Sequence, residues 1–364
     1  MCDDIWIGID GGATSVKARA VQVLEGRCLS PVGRGVEREF GTGTDFRPLP
    51  VEEQAKRLAA PGADLAPGER EAGAERIEVY ANTVGAVIAE LPPGFESARV
   101  RLALCAPGRS GGDRRGLLVV RSGPRQPGFL DELEAALEAR ALDIAVPPTW
   151  IESDGTAATW GEQYGAHGAF VSVGNAFAVG CGTGVAESLK LNGRLCEPGD
   201  FPEGWRAPWS HEPGQGCAED RISMAALGRR WREAAGSADQ AHPFPESAAC
   251  AGDTAACDVL SDMAGALARF VADRIALLHR SDVVLQRVVL AQRAAALLSE
   301  PRITACFGEP LRTRLTECLA RSSHAGAYLT GGRLEPDFIV PSGLRCAPIL
   351  GAVARALGWP AEVD

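Results

Sequence analysis

The chain lacks long apolar runs, paired cysteines and basic clusters, and each absence argues against a class of protein. No apolar run approaches roughly 18 residues, so neither a transmembrane helix nor a membrane partner is expected. The net charge is −10, lysines are few and no basic run occurs, which disfavours a nucleic-acid partner. The 11 cysteines are spread singly from Cys2 to Cys346 without a Cys-x-x-Cys pair, which indicates reduced, mostly buried thiols of a cytoplasmic protein. The acidic start Met-Cys-Asp-Asp does not resemble a signal peptide.

The residues that are present suit a protein of two α/β lobes. A length of 364 residues with 46% hydrophobic content is enough for two cores. A helix pattern at 76–90 is followed by a strand pattern at 100–106, and this alternation predicts a mixed α/β lobe up to about residue 155. Residues 33–73 are rich in glycine, proline and charge and are interpreted as a long loop or flap. The other expected elements are strands at 116–120, 148–153, 169–173, 176–179 and 283–290, and helices at 129–139, 219–235, 260–279 and 348–357.

A glycine turn near the N terminus is the first feature that suggests chemistry. Two segments of alternating apolar residues, 5–9 and 16–23, flank the turn Asp10-Gly-Gly-Ala-Thr14. Glycines without a Cβ let backbone amides approach a ligand closely, so this hairpin is able to hold a phosphate and a hydrated metal ion. An ordinary hairpin with a glycine turn is the alternative.

A second acidic motif, Ser153-Asp154-Gly155-Thr156, lies where a strand ends and a helix begins. A carboxylate at the carboxyl end of a strand projects into the region where α/β proteins bind ligands. There it could take a proton from an acceptor hydroxyl, which contributes roughly 10²–10⁴-fold to a rate. The alternative is that Asp154 only caps the helix that follows.

The second half of the chain repeats the glycine-turn theme. Gly182-Thr-Gly184 follows a strand and precedes the hairpin turn Asn192-Gly193, and Gly216-Cys-Ala-Glu219 opens a helix. The two halves therefore each carry one phosphate-type turn, as in a duplicated architecture.

In their order and spacing these motifs, with Leu350-Gly-Ala-Val353 near the C terminus, resemble the ROK family of sugar kinases, within the superfamily of actin, hexokinases and heat-shock ATPases. The resemblance covers nearly the whole chain. It implies an α/β, two-lobed, actin-like ATPase or ribonuclease H-like fold, with mixed sheets flanked by helices and a cleft between the lobes. The small N-terminal lobe is expected at 1–155, joined by the C-terminal helix at 347–364, and the large lobe at 156–346.

The resemblance also implies an ATP- and Mg²⁺-dependent phosphotransferase with an alcohol group as acceptor. Asp154 matches the general base and Asp10 would hold Mg²⁺ through water, although the family pattern Asp-x-Gly-Gly-Thr is shifted by one residue here. The implied ATP-phosphate-binding residues are Gly11, Gly12, Ala13, Thr14, Gly182, Thr183 and Gly184. The implied substrate-binding residues are Ser153, Asp154, Glu203, His211 and Glu219.

Two departures from the family pattern affect ligands. The cysteine-rich zinc run shrinks to Pro213-Gly-Gln-Gly-Cys217, so no structural zinc is expected, and His211 is either a substrate contact or a plain loop histidine. The adenosine loop, expected as three glycines after the strand near residue 290, is Ala291-Gln292-Arg293. Gln292 and Arg293 are therefore aligned with adenosine binding, and Gly331-Gly332 is treated as a turn in an insertion, although it remains the alternative.

The altered residues around Asp154 and the rebuilt zinc loop resemble the divergent kinases of actinobacterial aminocyclitol biosynthesis. The favoured substrate is therefore a small-molecule polyol, a seven-carbon cyclitol of the valienone, valienol or epi-valiolone type, phosphorylated on a primary hydroxyl for antibiotic biosynthesis. The alternatives are a ROK glucokinase or N-acetylhexosamine kinase, and a non-catalytic sugar-binding pseudokinase. ROK repressors carry a helix-turn-helix before the phosphate hairpin, which here starts by residue 5, so DNA binding is not expected. A homodimer is expected by the same resemblance.

Overall fold

Two compact units make up the chain. The computed structural model describes residues 4–41, 46–58, 65–66, 68–120, 123–210, 216–235 and 244–363. The first unit consists of residues 1–168 with 346–360, and the second of residues 169–345 with 361–364. The division falls at residue 168, not at the expected residue 155, because the helix that begins at Asp154 packs within the first unit.

A six-stranded mixed sheet forms the centre of the first unit, with strand order β3-β2-β1-β4-β7 and with β8 paired to β4. The pairs β1–β2 and β2–β3 are antiparallel. The strands β1, β7 and β8 each run parallel to β4. In chain order the elements are β1 (Asp4–Gly11), β2 (Ser15–Leu24), β3 (Cys28–Glu39), α1 (Val51–Leu58), α2 (Glu69–Ala89), β4 (Arg99–Ala106), β5 (Arg109–Ser110), β6 (Leu117–Val119), α3 (Phe129–Glu138), β7 (Ile144–Val146), β8 (Ile151–Ser153) and α4 (Asp154–Tyr164).

The second unit is built on a five-stranded sheet with order β11-β10-β9-β12-β15. Its hairpin β9–β10 is antiparallel, and β12 runs parallel to both β9 and β15. Its elements are β9 (Ala176–Cys181), β10 (Val185–Leu191), β11 (Arg194–Cys196), α5 (Glu219–Ile222), α6 (Met224–Ala235), α7 (Pro245–Cys250), α8 (Thr254–His279), β12 (Arg287–Ala291), α9 (Gln292–Ser299), α10 (Gly308–Ala320), β13 (Leu329–Thr330), β14 (Arg333–Leu334) and β15 (Ile339–Pro341). The chain then returns to the first unit as α11 (Ala347–Ala356).

The alternation of apolar residues in β1 matches its central position. Ile5, Ile7 and Ile9 are fully buried and belong to the core that α2 and α3 complete. On the opposite face, Gly8 leaves room for α11, because a Cβ at Gly8 would lie 2.5 Å from the Ile349 carbonyl oxygen. Both faces of this strand are therefore covered by helices, as in other buried strands.

Several expected elements differ from those observed. Residues 33–73 are not one long loop, since β3 continues to Glu39, α1 begins at Val51 and α2 begins at Glu69. Residues 169–173 form turns and not a strand, and Ser172 has a φ of 63°, outside the strand region. The expected helix 219–235 is interrupted at Ser223, which has extended backbone, and the next amide, of Met224, donates to the Gly182 carbonyl at 2.8 Å.

Two further observations concern the predicted state of the cysteines and the predicted absence of a transmembrane helix. Cys257 and Cys306 form a disulfide with Cα atoms 4.9 Å apart, so the expectation that all cysteines are reduced is wrong for this pair. Eight other described cysteines are free, and half of these are buried. Among the described helices, none combines the length and the apolarity that crossing a membrane requires.

Close contact between α4 and α11 holds the C-terminal segment within the first unit. The contact depends on two glycines, since a Cβ at Gly161 would lie 1.9 Å from the Ala347 carbonyl oxygen, and a Cβ at Gly351 only 1.6 Å from the Ala157 carbonyl oxygen. Backbone atoms cannot swing aside as a side-chain end can, so the helices must separate to accept a methyl group.

We therefore expect Gly351→Ala to lower the free energy of unfolding by about 1–3 kcal/mol, measured by urea denaturation. Gly265→Ala is the matched control, because Gly265 also lies inside a helix, but beyond that helix's own backbone its Cβ would meet only side-chain atoms, Arg269 Nη1 at 3.7 Å and Arg314 Cγ at 4.0 Å. The control should gain about 0.4–1 kcal/mol from helix propensity and chain entropy. Equal stability of Gly351→Ala and wild type would contradict the close contact.

Candidate functional site

Three parallel strands end side by side in the first unit and bring acidic side chains together. Asp10 of β1 lies opposite Cys105 of β4, and Cys105 lies opposite Glu152 of β8. Asp154 follows β8 directly, as the first residue of α4. The carboxyl ends of parallel strands are where open α/β sheets bind ligands. The structure thus brings together the two aspartates, Asp10 and Asp154, that the sequence singled out from positions far apart in the chain.

The charge of Asp10 is strongly affected by this position. Burial and the neighbouring Asp154 charge raise the pKa of Asp10 from 3.8 to about 6, against the opposing effects of Lys17 and of the Cys105 thiol. The Cys105 sulfur lies 3.8 Å from Asp10 Oδ1, and burial raises the pKa of that thiol well above its usual value. Cys105 therefore stays protonated and acts as a weak donor to Asp10, a role that no sequence motif indicates.

Asp154 does not cap the helix that it begins. That role belongs to Ser153, whose Oγ accepts a hydrogen bond from the Thr156 amide at 3.4 Å. The role of Asp154 as a general base stays a prediction. Asp154 Oδ1 accepts from the Gly155 amide at 2.9 Å, while burial raises the pKa of the Asp154 carboxyl. A carboxylate with a raised pKa at a strand end has the properties of a general base.

A buried ion-pair network holds the backbone that carries Asp154. Glu152 is 2% exposed and binds Arg114 at 2.5 Å and Arg355 at 2.8 Å. Its Oε1 also accepts from the Ser153 amide at 2.9 Å. The carboxylate is therefore bonded on both oxygens, as a buried charge must be. The two arginines come from distant parts of the sequence, so no local pattern could have indicated this network.

Side chains of α2 pack against the protein-facing side of the first glycine hairpin. A Cβ at Gly11 would lie 1.8 Å from the Tyr80 hydroxyl, so Tyr80 occupies the space that the glycine leaves. Arg76 donates to the Ala13 carbonyl at 3.0 Å and lies 4.3 Å above the Phe40 ring. The turn is closed by the Gly12 amide, which donates to the Ser15 carbonyl at 2.7 Å.

The outward side of this hairpin carries the residues that remain accessible to a ligand. Thr14 is exposed, while Gly12 and Ala13 are partly exposed. The structure therefore places Gly11 on the protein-facing side of the turn and Ala13 and Thr14 on the solvent-facing side. The sequence alone could not separate these two sides.

The second glycine hairpin, between β9 and β10, is packed in a similar way. A Cβ at Gly182 would lie 2.5 Å from Gln292 Oε1, and a Cβ at Gly184 would lie 2.9 Å from Glu219 Oε2. The Gly182 amide donates to the Gly184 carbonyl at 2.9 Å, and Thr183 at the tip is exposed. Gln292 and Glu219 are thus brought to opposite ends of the same turn.

Glu219 is held close to this hairpin by hydrogen bonds of its side-chain carboxylate and of its backbone amide. Its Oε2 accepts from the Val185 amide at 3.1 Å, and its own amide donates to the Pro208 carbonyl at 2.9 Å. Glu219 therefore supports the turn, in addition to any role toward a substrate.

Of the two residues aligned with adenosine binding, Gln292 contacts the second glycine hairpin, whereas the side chain of Arg293 pairs with Glu246. Gln292 begins α9 with a φ of 55° and lies against Gly180 and Gly182. Arg293 forms an ion pair with Glu246 and lies 3.7 Å above the Phe244 ring. Gly331 and Gly332, both with positive φ, form the two-residue turn between β13 and β14, and the assignment of this hairpin to an insertion stays a prediction.

Among the described hydrogen bonds and ion pairs, none connects Glu203 to either hairpin. Glu203 is exposed in a turn closed by a hydrogen bond from the Trp205 amide to the Pro202 carbonyl. His211 lies outside the described residues. Within the described part of the chain, no three histidine, cysteine, aspartate or glutamate side chains are grouped to hold a metal ion. The predicted loss of the zinc site stays a prediction.

The sequence matches the profile of the ROK family over residues 71–326. The chain belongs to the ROK family. No curated protein is significantly similar to it in sequence. The predicted family is therefore confirmed by most of the chain's length.

Solved ROK structures share the fold at low sequence identity. A ROK family glucokinase from Streptomyces griseus, in complex with glucose and AMPPNP, is 18% identical with a TM-score of 0.61, covering 97% of this chain and 99% of that one. A ROK hexokinase from Thermus thermophilus is 18% identical with a TM-score of 0.56, covering 96% of each chain. A ROK family transcriptional regulator, a homologue of the E. coli MLC protein, is 15% identical with a TM-score of 0.56, covering 98% of this chain and 78% of that one.

These similarities confirm the predicted α/β fold class, with mixed sheets flanked by helices. The predicted enzyme class, a phosphotransferase with an alcohol group as acceptor, is that of the glucokinase and the hexokinase among these ROK structures. The regulator shows that the same fold also occurs outside catalysis.

The raised pKa of Asp10 predicts an unusual stability profile. The folded pKa of about 6 lies above the unfolded value of 3.8, so the folded protein holds this proton more tightly and loses stability as pH rises from 4 to 6. We expect Asp10→Asn, without metal, to raise the free energy of unfolding at pH 8 by up to about 3 kcal/mol, with little gain at pH 4. Urea unfolding at the two pH values measures this difference.

Asp4→Asn is the matched control on the same strand. The Asp4 carboxylate has two arginine partners, Arg99 at 2.9 Å and Arg101 at 2.8 Å, so its neutralisation should bring no gain at pH 8. If Asp10→Asn were less stable than wild type at pH 8, the ionised Asp10 carboxylate would not destabilise the folded protein, and the prediction would be contradicted.

Proposed function

We propose that this chain is an ATP-dependent kinase of a small sugar-like polyol, with Asp154 as the general base. The observation that carries the proposal is the placement of Asp154 beside Asp10 at the carboxyl ends of β1 and β8, with the pKa of both carboxyls raised. A partly buried carboxylate with a raised pKa accepts a proton from a hydroxyl more readily than one in water. Asp154 is available for this because Ser153 caps the helix and the arginine pair on Glu152 fixes the strand end.

The reaction divides between the bound nucleotide and the residues of this chain. Bound Mg·ATP supplies the γ-phosphoryl group and offsets the negative charge that spreads over it. The acceptor oxygen forms the new bond to phosphorus while the bond to the ADP oxygen breaks, and the hydroxyl proton passes to the Asp154 carboxylate. The rest of the chain orients the acceptor and excludes water.

The residues fit the predicted cofactors in chemical type. Asp10 is mostly ionised at neutral pH with a pKa of about 6, and a single carboxylate suits Mg²⁺, which keeps several of its waters. Thr14 and Thr183, exposed at the tips of the two glycine turns, provide hydroxyls and backbone amides for phosphate oxygens. The full phosphate-binding set proposed here is Gly11, Gly12, Ala13, Thr14, Gly182, Thr183 and Gly184.

We assign the adenosine side to Gln292, because it lies against Gly180 and Gly182 of the second hairpin. Arg293 contributes to that side through its position on α9, next to Gln292, while its guanidinium pairs with Glu246. The turn at Gly331 and Gly332 belongs to a separate small hairpin, β13–β14, which supports the choice of Gln292.

The proposed acceptor is a seven-carbon cyclitol of the valienone, valienol or epi-valiolone type, phosphorylated on its primary hydroxyl in natural-product biosynthesis. Support comes from the small residues next to the base, Ser153, Gly155 and Thr156, which stand where the resembled family has amide side chains. Glu203, His211 and Glu219 complete the proposed substrate contacts. A glucokinase is the second candidate, favoured by the likeness to a glucose-bound ROK structure. We propose a cytoplasmic homodimer without zinc.

A substitution at the base separates a kinase from a sugar-binding protein without catalysis. Asp154→Asn should lower kcat by about 10²–10⁴-fold, because the acceptor proton loses its carboxylate, while the acceptor still binds. A coupled ADP-release assay measures turnover, and calorimetry measures binding. Asp143→Asn is the control, since Asp143 is an exposed carboxylate of the same unit and should leave both unchanged. Full turnover by Asp154→Asn would remove Asp154 from the reaction.

A panel of acceptors tests the substrate class. Purified protein with Mg·ATP is offered valienone, valienol, glucose and N-acetylglucosamine, and product is detected by mass spectrometry. We expect kcat/KM for a cyclitol to exceed that for either hexose by at least about tenfold, which corresponds to about 1.4 kcal/mol of transition-state discrimination. Good turnover of glucose without turnover of cyclitols would replace the cyclitol proposal by the glucokinase. No transfer to any polyol would reject the kinase.

A further inference from the structure

Trp209 is the exception among the seven tryptophans of the chain, all of which lie in the described part of the structure. Its side chain is 53% exposed, whereas Trp6, Trp160 and Trp231 are each at most 7% exposed and the remaining three are partly buried. A tryptophan carries the largest apolar surface of any side chain, so leaving it in water forgoes a large stabilisation. The position of the loop that carries it gives a reason.

A buried charge cluster holds this loop, residues 201–210, on its upstream side. The Trp205 indole N–H donates to Glu187 Oε2 at 3.1 Å, and the Arg274 guanidinium lies 4.4 Å above the Trp205 ring. Arg274 pairs with Glu187 at 2.7 Å and donates to the Arg206 carbonyl at 2.5 Å. Glu187 lies in β10, in the segment that continues from the second glycine hairpin.

Hydrogen bonds also hold the loop on its downstream side. The Ser210 amide donates to the Ala207 carbonyl at 2.9 Å, which closes a turn around Trp209. The Pro208 carbonyl accepts from the Glu219 amide at 2.9 Å, and Glu219 in turn accepts from the Val185 amide at 3.1 Å. Trp209 is therefore an exposed aromatic side chain on a backbone that is fixed to the end of the second glycine hairpin.

The side of the hairpin indicates which ligand meets Trp209. Gln292, assigned to adenosine, contacts the hairpin at Gly182, whereas Glu219, which bonds the Trp209 loop, contacts it at Gly184. Trp209 is thus connected to the end of the turn away from the nucleotide base. The exposed indole carried by this backbone suits the C–H face of a cyclic polyol, which buries apolar area against the indole while its hydroxyls stay hydrogen-bonded at the rim.

We propose that Trp209 is the residue on which the ring of the acceptor stacks, so that the loop 201–210 selects cyclic over open-chain polyols. This inference rests on the proposed function, in particular on the acceptor contact proposed for Glu219 of the second unit. It makes Trp209 a substrate-contacting residue and the cluster of Trp205, Glu187 and Arg274 its support.

The test compares Trp209→Ala and Trp209→Phe with wild type. Binding of valienone, glucose and N-acetylglucosamine is measured by calorimetry. The KM values for ATP and for each acceptor that the protein phosphorylates are measured in parallel. We expect Trp209→Ala to weaken ring binding by at least about tenfold, and Trp209→Phe, which keeps an aromatic face, to recover it to within about threefold. KM for ATP should stay within about twofold. Val171→Ala is the control, since Val171 is a 43% exposed apolar residue of the same unit.

Four results would overturn the inference. They are unchanged ring binding in Trp209→Ala, a rise in KM for ATP without loss of ring binding, a change of oligomeric state in sedimentation that places Trp209 at a contact between copies, and no binding of any ring by wild type. The proposed kinase function fails separately. If wild type binds a ring through Trp209 but transfers no phosphoryl group, the stacking role stands and the catalytic role of Asp154 does not.

Discussion

The pairing of Glu152 with Arg114 and Arg355 is the interaction on which the candidate site at the carboxyl ends of the strands depends. Burial raises the pKa of both Asp10 and Asp154, and the Asp154 charge raises that of Asp10 further, so these two like charges oppose folding. A buried carboxylate bonded by two guanidinium groups fixes the last residues of β8 despite that repulsion. Removal of one arginine would leave an unpaired buried charge, which is strongly destabilising, whereas the intact network adds little net stability. Its main effect is to hold the backbone in place.

The glycine turns of the two units have the same physical basis. In each turn, the room left by a missing Cβ is filled by a side chain of the protein: Tyr80 at Gly11, Gln292 at Gly182 and Glu219 at Gly184. The glycines therefore allow a turn to be packed closely from the protein side while its tip, at Thr14 or Thr183, stays exposed. A rigid turn with an exposed tip loses little entropy when a phosphate binds.

The sequence predicted the elements whose periodicity is strong and missed those that depend on partners. The alternation of apolar residues indicates the hairpin β1–β2, and helical spacing indicates the long helix α8. The strand β3 was interpreted as part of a loop because its outer residues are polar and exposed, although β2 supplies its hydrogen bonds. A short strand such as β7 has too few residues for a period to show, and the parallel neighbour that pairs with it lies far away in sequence.

For the candidate site, the sequence by itself determined the residue types: two aspartates at strand ends, two glycine turns and a glutamate before a helix. It did so because turn chemistry and strand ends are local properties of the chain. Only the tertiary structure decided that Ser153 and not Asp154 is the N-cap of α4, and that Asp10 and Asp154 lie at the same carboxyl ends of the parallel strands. It also decided that Trp209 is exposed and follows Pro208, whose carbonyl accepts from the Glu219 amide. Those results follow from strand register and from ion pairs between residues up to 203 positions apart, and no local pattern records such distances.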